Sequence, residues 1–530
     1  MREIYFFTSN RTKLAHLKHL GRLSGVDVIG FRELTYRGSY DEPRISNRAD
    51  LLAMSYESAA KKWALAFGES DYRIFFFEDT SVRIEALSEV DDVPGVDVKF
   101  WMQGMTFNQL DEMLKLRRNI RGATVRSDMV AHIPKRLRTL LGAGKPYIWV
   151  HAEVAGSIVS SNVKVKPHLV YPWLDDKSFN KWFVPLGESR PLSMLDKQRA
   201  AQHDFRGHAF QRLLSELKGL VSAEPEEASP LQIPLPGMFV PPVWVVCGYS
   251  CAGKTTLAEW LSAQYGFLHL EASDYMRQEY WERHGVSSAV SVGDFASAAL
   301  AIEPWVAAKP IGKDIKRFGY PAVIVTGFRS PNELDALQKE LGSSHQVVPI
   351  FIHSSVEVRL ERSIKRQREA VSPASFAKRD RQERSMGLDE IEKIAIRSTL
   401  SNNGSSVLAY TKLFYKKFNK EIESLSNSIH ETDGVSMGNL ERLIIQALLN
   451  AEVALTTSEI AKAIDFYFLQ TKSKNNVSRY FNQGFHPFYR AEQSSGAVAY
   501  RLSATGLSIA ELLQVPIGHQ PTWDLGVLGS

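Results

Sequence analysis

Val243-Trp-Val-Val-Cys247 runs directly into Gly248-Tyr-Ser-Cys-Ala-Gly253-Lys254-Thr255, and Thr256 to Tyr265 follows with helical spacing. The first run is short and β-prone. The second matches G-x-x-x-x-G-K-[ST]. In the third, Leu257, Trp260 and Leu261 share a face, and Gly266 supplies a stop. Strand, glycine-rich turn and helix in that order predict an α/β fold with a parallel sheet, built to hold phosphate. The glycines let backbone N–H groups curl around phosphate oxygens, and the helix N-terminus adds positive partial charge. In such a loop Lys254 meets the β- and γ-phosphates and the Thr255 hydroxyl ligates Mg2+. Gly248, Ser250, Ala252, Gly253, Lys254, Thr255 and Thr256 are therefore the expected contacts to ATP.

The chain has 530 residues, and roughly 100–200 residues per domain gives three domains as the natural expectation. Hydrophobic residues at 44% and charged residues at 23% are ordinary for a soluble globular protein. A net charge of +5 is weakly basic and by itself argues for neither nucleic acid nor membrane. Cys247 and Cys251 both flank the loop, which excludes a disulfide framework and leaves too few ligands for zinc. A reducing, cytoplasmic compartment is expected. The N-terminus lacks a signal-peptide pattern, and no apolar run reaches the length of a membrane span.

Pro225, Pro230, Pro234, Pro236, Pro241 and Pro242 mark residues 222–242 as a semi-rigid linker. A stretch near 421–437, rich in Ser, Asn and Gly, reads as a second soft boundary. The expected domains are thus 1–221, 243–420 and 437–515. In the first, Ile4–Phe7 and Ile74–Phe77 read as buried strands and Ala49–Ala66 as a helix. Tyr147–Val154 and Ser157–Val163 read as paired strands around Gly156, giving an α/β or α+β pattern.

Beyond its loop, the middle segment resembles nucleoside-monophosphate kinases, most nearly the adenylate-kinase and dephospho-coenzyme A kinase branch. A strand at Ala322–Thr326 leads into Gly327-Phe328-Arg329-Ser330-Pro-Asn-Glu333, similar to an element those kinases carry, in which Asp often stands where this chain has Thr326. Asp274 falls where the relatives begin their acceptor-binding helix, and reads equally as an N-cap. Arg359, Arg362, Lys365, Arg366, Arg368, Lys378, Arg379, Arg381 and Arg384 resemble the arginine-bearing lid that closes over transferring phosphates. Interleaved Glu357, Glu361, Glu369, Asp380 and Glu383 equally suggest a solvated charged helix for most of them. Arg329, Arg366 and Arg379 are the residues expected to act on phosphate.

In the first segment, Thr8-Ser9-Asn10-Arg-Thr-Lys13 places an amide and an ammonium at a helix start, where a triphosphate can sit. Glu78-Asp79-Thr80 follows the second strand, and Pro94-Gly95-Val-Asp-Val-Lys99-Phe100-Trp101 comes next. These three elements, in this order, resemble the inosine and xanthosine triphosphate pyrophosphatase family over about residues 1–218. The resemblance implies that Glu78 and Asp79, with Glu42 (or Glu33 or Asp41), hold Mg2+ and orient water, while Lys13 and Lys99 absorb phosphate charge. It also implies base contacts at Tyr171, His203 and Arg206, although Val170-Tyr171-Pro172-Trp173 lacks the family's Asp and the Ser-His-Arg element is altered to His203-Asp204-Phe205-Arg206. Tyr171 and Trp173 read as base-stacking groups or as core, and His203 reads as an ordinary histidine or a base reader.

Residues 437–515 read as helix Leu440–Leu449, a capping box Thr456-Thr-Ser-Glu459 opening Ile460–Ile464, helix Lys474–Phe481, and a hairpin of Phe488–Ala491 with Ala497–Leu502. They resemble a winged helix, whose partner is DNA through Lys472, Lys474, Asn475, Asn476, Ser478 and Arg479, another protein, or a second copy. The expected whole is a multidomain nucleotide enzyme: a pyrophosphohydrolase of aberrant purine triphosphates joined to an ATP-dependent nucleoside-monophosphate kinase. The rival is a nucleotide sensor in which the first domain binds without turnover and signals onward.

Overall fold

The computed structural model describes residues 3–513 except 35–44, 46, 69–72, 142–143, 167, 218–239, 287, 289, 366–371, 405, 431–433, 452, 469, 471, 473, 483 and 495–496. The described residues fall into two compact units, one within Met1–Gln232, Tyr280–Ala298 and Arg479–Phe485, the other within Ile233–Glu279, Ala299–Ser478 and His486–Ser530. Glu42, Arg366 and most of the proline-rich segment lie outside the described residues. No described helix is long and apolar enough to cross a membrane.

The first unit forms around strand parity. Its strands are β1 (Glu3–Phe6), β2 (Asp27–Gly30), β3 (Phe75–Ile84), β4 (Pro94–Gly95), β5 (Gly122–His132), β6 (Tyr147–Ile158) and β7 (Phe183–Pro185). They assemble in the order β2-β1-β3-β5-β6-β7, with β4 on β3. Successive side chains of a strand face opposite ways. Ile4, Phe6, Ile74 and Phe76 therefore enter one core cluster, while Tyr5, Phe7, Phe75 and Phe77 enter another. Burial on both faces explains the unbroken apolar runs, which the β1–β3 pairing requires to be parallel and covered.

Two strand boundaries differ from expectation. β3 does not stop at Phe77. It continues through Glu78-Asp79-Thr80 to Ile84, because Val82 and Ile84 are buried and the antiparallel ladder with β5 holds every residue from Phe75 onward. Gly156 is no turn either, since β6 runs straight through it. A Cβ there would come within 2.2 Å of Val184 O and 2.7 Å of the Phe183 ring, so glycine permits β7 to approach.

The second unit holds β8 (Pro242–Cys247), β9 (Leu268–Glu271), β10 (Val323–Thr326), β11 (Gln346–His353) and β12 (Leu400–Ser401), in the order β12-β11-β8-β10-β9 and parallel throughout. Val243 to Cys247 are all buried, and Trp244 packs against Phe267, Phe414 and Phe418. The helix Lys254–Tyr265 ends at Gly266, whose φ of +69° closes it in the left-handed cap form. The soft stretch expected from residue 421 is instead the second half of the helical span Val407–His430, which breaks its dihedrals only at Phe418. Buried Ile422 and Leu425 hold it, and their spacing outweighs the polar serines between them.

Toward the C-terminus come helices Asn439–Leu449, Thr457–Phe468 and Lys474–Asn482, then β13 (Leu455–Thr456), β14 (Tyr489–Ser494) and β15 (Ala497–Leu502) in the order β13-β15-β14, and helix Ala504–Leu512. The Thr456–Glu459 box forms in both directions: Glu459 Oε2 accepts the Thr456 N–H, and Thr456 Oγ1 accepts the Glu459 N–H.

Gly156→Ala should lower the stability of the first unit by about 1–3 kcal/mol, because the added methyl has no room against Val184 and Phe183. Urea unfolding followed by tryptophan fluorescence measures it, and an unchanged midpoint would contradict the packing argument.

Candidate functional site

Chemistry-bearing side chains gather in two places, one in each unit. In the first, the chain leaves β1 and enters helix Arg11–Leu23 through Thr8-Ser9-Asn10. Asn10 Oδ1 caps that helix by accepting the Lys13 N–H at 3.1 Å, and Thr8 Oγ1 accepts the Asn10 N–H at 3.1 Å. The cap fixes Lys13 in the first turn. Its ammonium lies 3.1 Å from Glu78 Oε2, donates to Glu78 O at 3.2 Å, and stands 4.0 Å from Asp79 Oδ1.

Glu78 has no exposed side-chain surface. Its Oε1 accepts from Thr80 Oγ1 at 2.7 Å, Ser127 Oγ at 2.8 Å and Arg206 Nε at 3.2 Å. Its Oε2 takes no hydrogen bond among the described residues and is met by the Lys13 ion pair. Burial pushes the Glu78 pKa up, but Lys13, Arg206, Thr80 and Ser127 together overcome this and bring it to about 2. The group is a buried, ionised carboxylate whose Oε2 is met by the Lys13 ammonium.

Asp79 points to the other face of β3 and is a quarter exposed. Directly across the ladder lies Asp128, buried and held by Arg48 Nε at 2.6 Å and Trp149 Nε1 at 2.8 Å. The sequence reading did not single out Asp128 or Arg48. The place of Asp128 opposite Asp79 depends on the β3–β5 register, which no local pattern announces.

The remaining predicted groups separate. Arg206 reaches the carboxylate, bonding Glu78 and also Thr80 Oγ1 at 2.8 Å. Lys99 is exposed on helix Val98–Gly104, with its ammonium 5.7 Å from the Phe100 ring centre. Tyr171 is buried and, with Trp173, Asp204 and Arg206, lines a cavity of about 70 Å³ beside the His16 face of the first helix. His16 stacks on Trp173 with ring centres 4.3 Å apart and pairs with Asp204 at 2.8 Å. His203 instead contacts Glu188 at 3.2 Å. Glu33 pairs with Lys18 at 2.7 Å.

In the second unit, the loop after β8 has φ of +143° at Gly248, +63° at Cys251 and +104° at Gly253. At its φ of +104° Gly253 strains any side chain, and a Cβ would also lie 2.4 Å from Asn402 Nδ2. The Lys254 ammonium donates to the Gly248 and Tyr249 carbonyls at 2.7 and 3.0 Å. Burial lowers its pKa, with Glu383 pulling the other way. Thr255 and Thr256 occupy the first turn of the helix that follows.

Thr326 ends β10 beside Glu271, its partner in the parallel register with β9. The Thr326 hydroxyl donates to Glu271 Oε2 at 2.5 Å, and His269 Nε2 stands 2.7 Å from the same hydroxyl. Burial raises the Glu271 pKa, but His269, Thr326, Lys254 and Arg329 hold it below the usual carboxylate range. An acid absent from position 326 is thus supplied one strand over. A charged residue closing the apolar strand Leu268–Glu271 was its only trace in the sequence.

The lid arginines are not a solvated face throughout. Arg359 is 3% exposed, donates to both Asp380 oxygens at 2.8 and 2.6 Å, and lies 3.4 Å from Ser250 O. Arg362 donates to Gly404 O at 2.7 Å and to Asn402 Oδ1 at 3.2 Å. Arg329 and Arg379 both face Glu383, at 3.3 and 3.8 Å. Asp274 lies inside the first turn of helix Ala272–His284 rather than at its N-cap. Its carboxylate accepts the Thr505 N–H at 3.0 Å and faces Arg490 at 3.5 Å. Among the groups expected to face DNA, the Ser478 hydroxyl is bonded to Thr457 at 3.0 Å.

Residues 4–216 match the model of the Ham1 family, and residues 243–388 match a model described as an AAA domain. The chain therefore carries a Ham1-like domain followed by a P-loop domain of the AAA type. Similar solved structures include the Ham1 protein of Staphylococcus aureus, at 19% identity, 41% of this chain, 98% of that one and a TM-score of 0.29. A nucleoside-triphosphatase, dITP/XTP pyrophosphatase, of Mycobacterium abscessus gives 20%, 41%, 99% and 0.28. Shikimate kinase of Acinetobacter baumannii gives 14%, 34%, 94% and 0.24. Comparison with curated proteins gives no match.

The Glu78 cluster should show in the acid limb of stability. A carboxylate with its folded pKa depressed from 4.5 to about 2 stabilises the fold above the unfolded value and loses that contribution as pH falls through this window. Wild type should therefore lose stability between about pH 5 and about pH 2 more steeply than Glu78→Gln, read by chemical denaturation at each pH. Parallel curves would remove Glu78 as the source.

Proposed function

We propose that the first unit hydrolyses inosine- or xanthosine-type purine nucleoside triphosphates to monophosphate and pyrophosphate, and that the second transfers the γ-phosphoryl of ATP to a nucleoside monophosphate or similar acceptor. The observation that carries the first half is the Lys13–Glu78–Asp79–Arg206 cluster at a helix N-terminus. Hydrolysis between the α- and β-phosphates needs ionised carboxylates beside cations, and this cluster has both.

The residues fit a magnesium ion. Glu78 is ionised with no hydrogen bond at Oε2 beyond its ion pair with Lys13, and Asp79, the next residue, is partly exposed and 4.0 Å from the same ammonium. No group of three metal-ligating side chains occurs among the described residues. Mg2+ bound with a nucleotide needs only one or two carboxylates, with phosphate oxygens and water completing the shell. When bound, it supplies Lewis acidity and an activated water. Asp79 then orients that water and takes its proton, while Lys13 and Arg206 balance the charge that builds on the phosphates.

In the second unit Lys254 leaves its carbonyls for the phosphates, and Arg329 and Arg379 neutralise the equatorial oxygens. An acceptor oxygen bonds to the γ-phosphorus, the β–γ bridging bond breaks, and ADP departs. Thr255 and Glu271 are the groups suited to hold Mg2+ there. A winged-helix reading fits the C-terminal helices and hairpin. The docking of Thr505 and Arg490 on Asp274 favours a role toward the chain's own kinase-like domain over one on DNA. It also favours the second reading, in which nucleotide binding is sensed and relayed.

A panel of triphosphates and monophosphates, with products separated by chromatography, tests both halves. Asp79→Asn should abolish pyrophosphate release from inosine triphosphate while calorimetric binding persists. A wild type that binds without releasing pyrophosphate would favour sensing instead.

Lys254→Ala should reduce phosphoryl transfer roughly a hundred- to thousandfold, because a charge at the transition state is removed, and leave pyrophosphate release unchanged. Undiminished transfer would exclude the loop as the donor site.

A further inference from the structure

Glu383 sits where a P-loop takes its anion. It lies near the end of helix Pro373–Ser385, and its side chain is 5% exposed. Its Oε2 accepts the Ser250 N–H at 2.9 Å, and its Oε1 stands 3.3 Å from Arg329 Nε and 3.8 Å from Arg379 Nε. Ser250 belongs to the run of loop residues whose N–H groups cradle phosphate oxygens. One carboxylate thus engages a loop amide and the two arginines suited to phosphate.

The same helix grips the other side of that residue. Arg359, clamped by Asp380 one turn before Glu383, lies 3.4 Å from Ser250 O. Its guanidinium also covers the Tyr249 ring at 4.9 Å, and the Tyr249 hydroxyl donates to Asp389. Lys254 meanwhile points back onto loop carbonyls. In this arrangement the helix closes over a loop already neutralised from within.

We propose that Glu383 is a built-in occupant of the phosphate cradle, an autoinhibitory contact that a nucleoside triphosphate must displace. This rests on the reading of Gly248–Thr255 as a triphosphate site. A carboxylate and a polyphosphate cannot share one cluster of donors, because like charges at contact distance repel strongly in a buried site. Entry of the nucleotide expels Glu383 from the Ser250 N–H and loosens helix Pro373–Ser385. It also turns Arg329 and Arg379 from Glu383 to the phosphates. The energy spent on displacement appears as weakened affinity, since only the unplugged fraction binds. Binding and release of the arginines become one event, which keeps the cations from acting before nucleotide is present.

The test uses the full chain, with ATP and Mg2+ as the probe in isothermal titration calorimetry. Glu383→Gln keeps the size and an acceptor oxygen but removes the charge. It should bind ATP about tenfold more tightly than wild type, the expected release of a largely plugged state. A second measurement does not depend on the variant: amide hydrogen exchange in residues 373–385 of wild type should rise on adding ATP. Unchanged or weakened affinity in Glu383→Gln, or unaltered exchange in that helix, overturns the proposal while leaving the P-loop assignment intact. Wild type and variant that both fail to bind ATP would overturn the loop reading itself, and this inference with it.

Discussion

A carboxylate taken out of water must be matched by cations or donors, and that constraint organises both units. Glu78 within β3, Glu271 at the end of β9 and Glu383 on the helix Pro373–Ser385 are each buried or nearly so. Isolated, each would become neutral or unfold its surroundings. Instead Lys13 and Arg206 converge on Glu78, Thr326 donates to Glu271, and Ser250, Arg329 and Arg379 surround Glu383. The charges in these clusters are the ones a polyphosphate needs. Within each cluster the groups satisfy one another.

Much of the fold was legible because its signals are local. The P-loop needs only a strand, two glycines and a helix in sequence, and these lie within about one turn of each other. The brief apolar runs Ile4–Phe7 and Ile74–Phe77 identified strands, since two-sided burial leaves an apolar run whatever the topology. Extent was harder to read. β3 carries Glu78-Asp79-Thr80 in mid-strand, and only the ladder with β5 makes polar residues acceptable there. Likewise Gly156 looked like a turn, because glycine's other use, admitting a neighbouring chain, is visible only once β7 is in place.

The sites divide along the same line. Lys13 and Glu78 were recognisable from short motifs, and the structure brings them to 3.1 Å. Glu271 was not, because its importance comes from standing opposite Thr326 in a parallel register that joins residues 55 apart. Asp128 is hidden for the same reason. Charged residues 359–384 read both as a lid and as a solvated stripe, because composition cannot distinguish an acid facing water from one facing a loop amide 133 residues away. Pairing across the sheet, and across the loop, is the information that the linear pattern lacks.

β9 lies at the margin of its sheet, with a row of backbone donors on its outer side. Those of His269 and Glu271 go to the hydroxyls of Ser508 and Thr505, 2.8 and 2.9 Å away, on the helix Ala504–Leu512. A strand margin left open is a template on which another chain can add and from which aggregates grow. Two alcohols spaced along a helix satisfy the donors without offering a continuing ladder, so nothing further can pair there. Helix Ala504–Leu512 thereby blunts the margin against edge-to-edge pairing, with residues that lie more than two hundred positions further along the chain than the strand they cover.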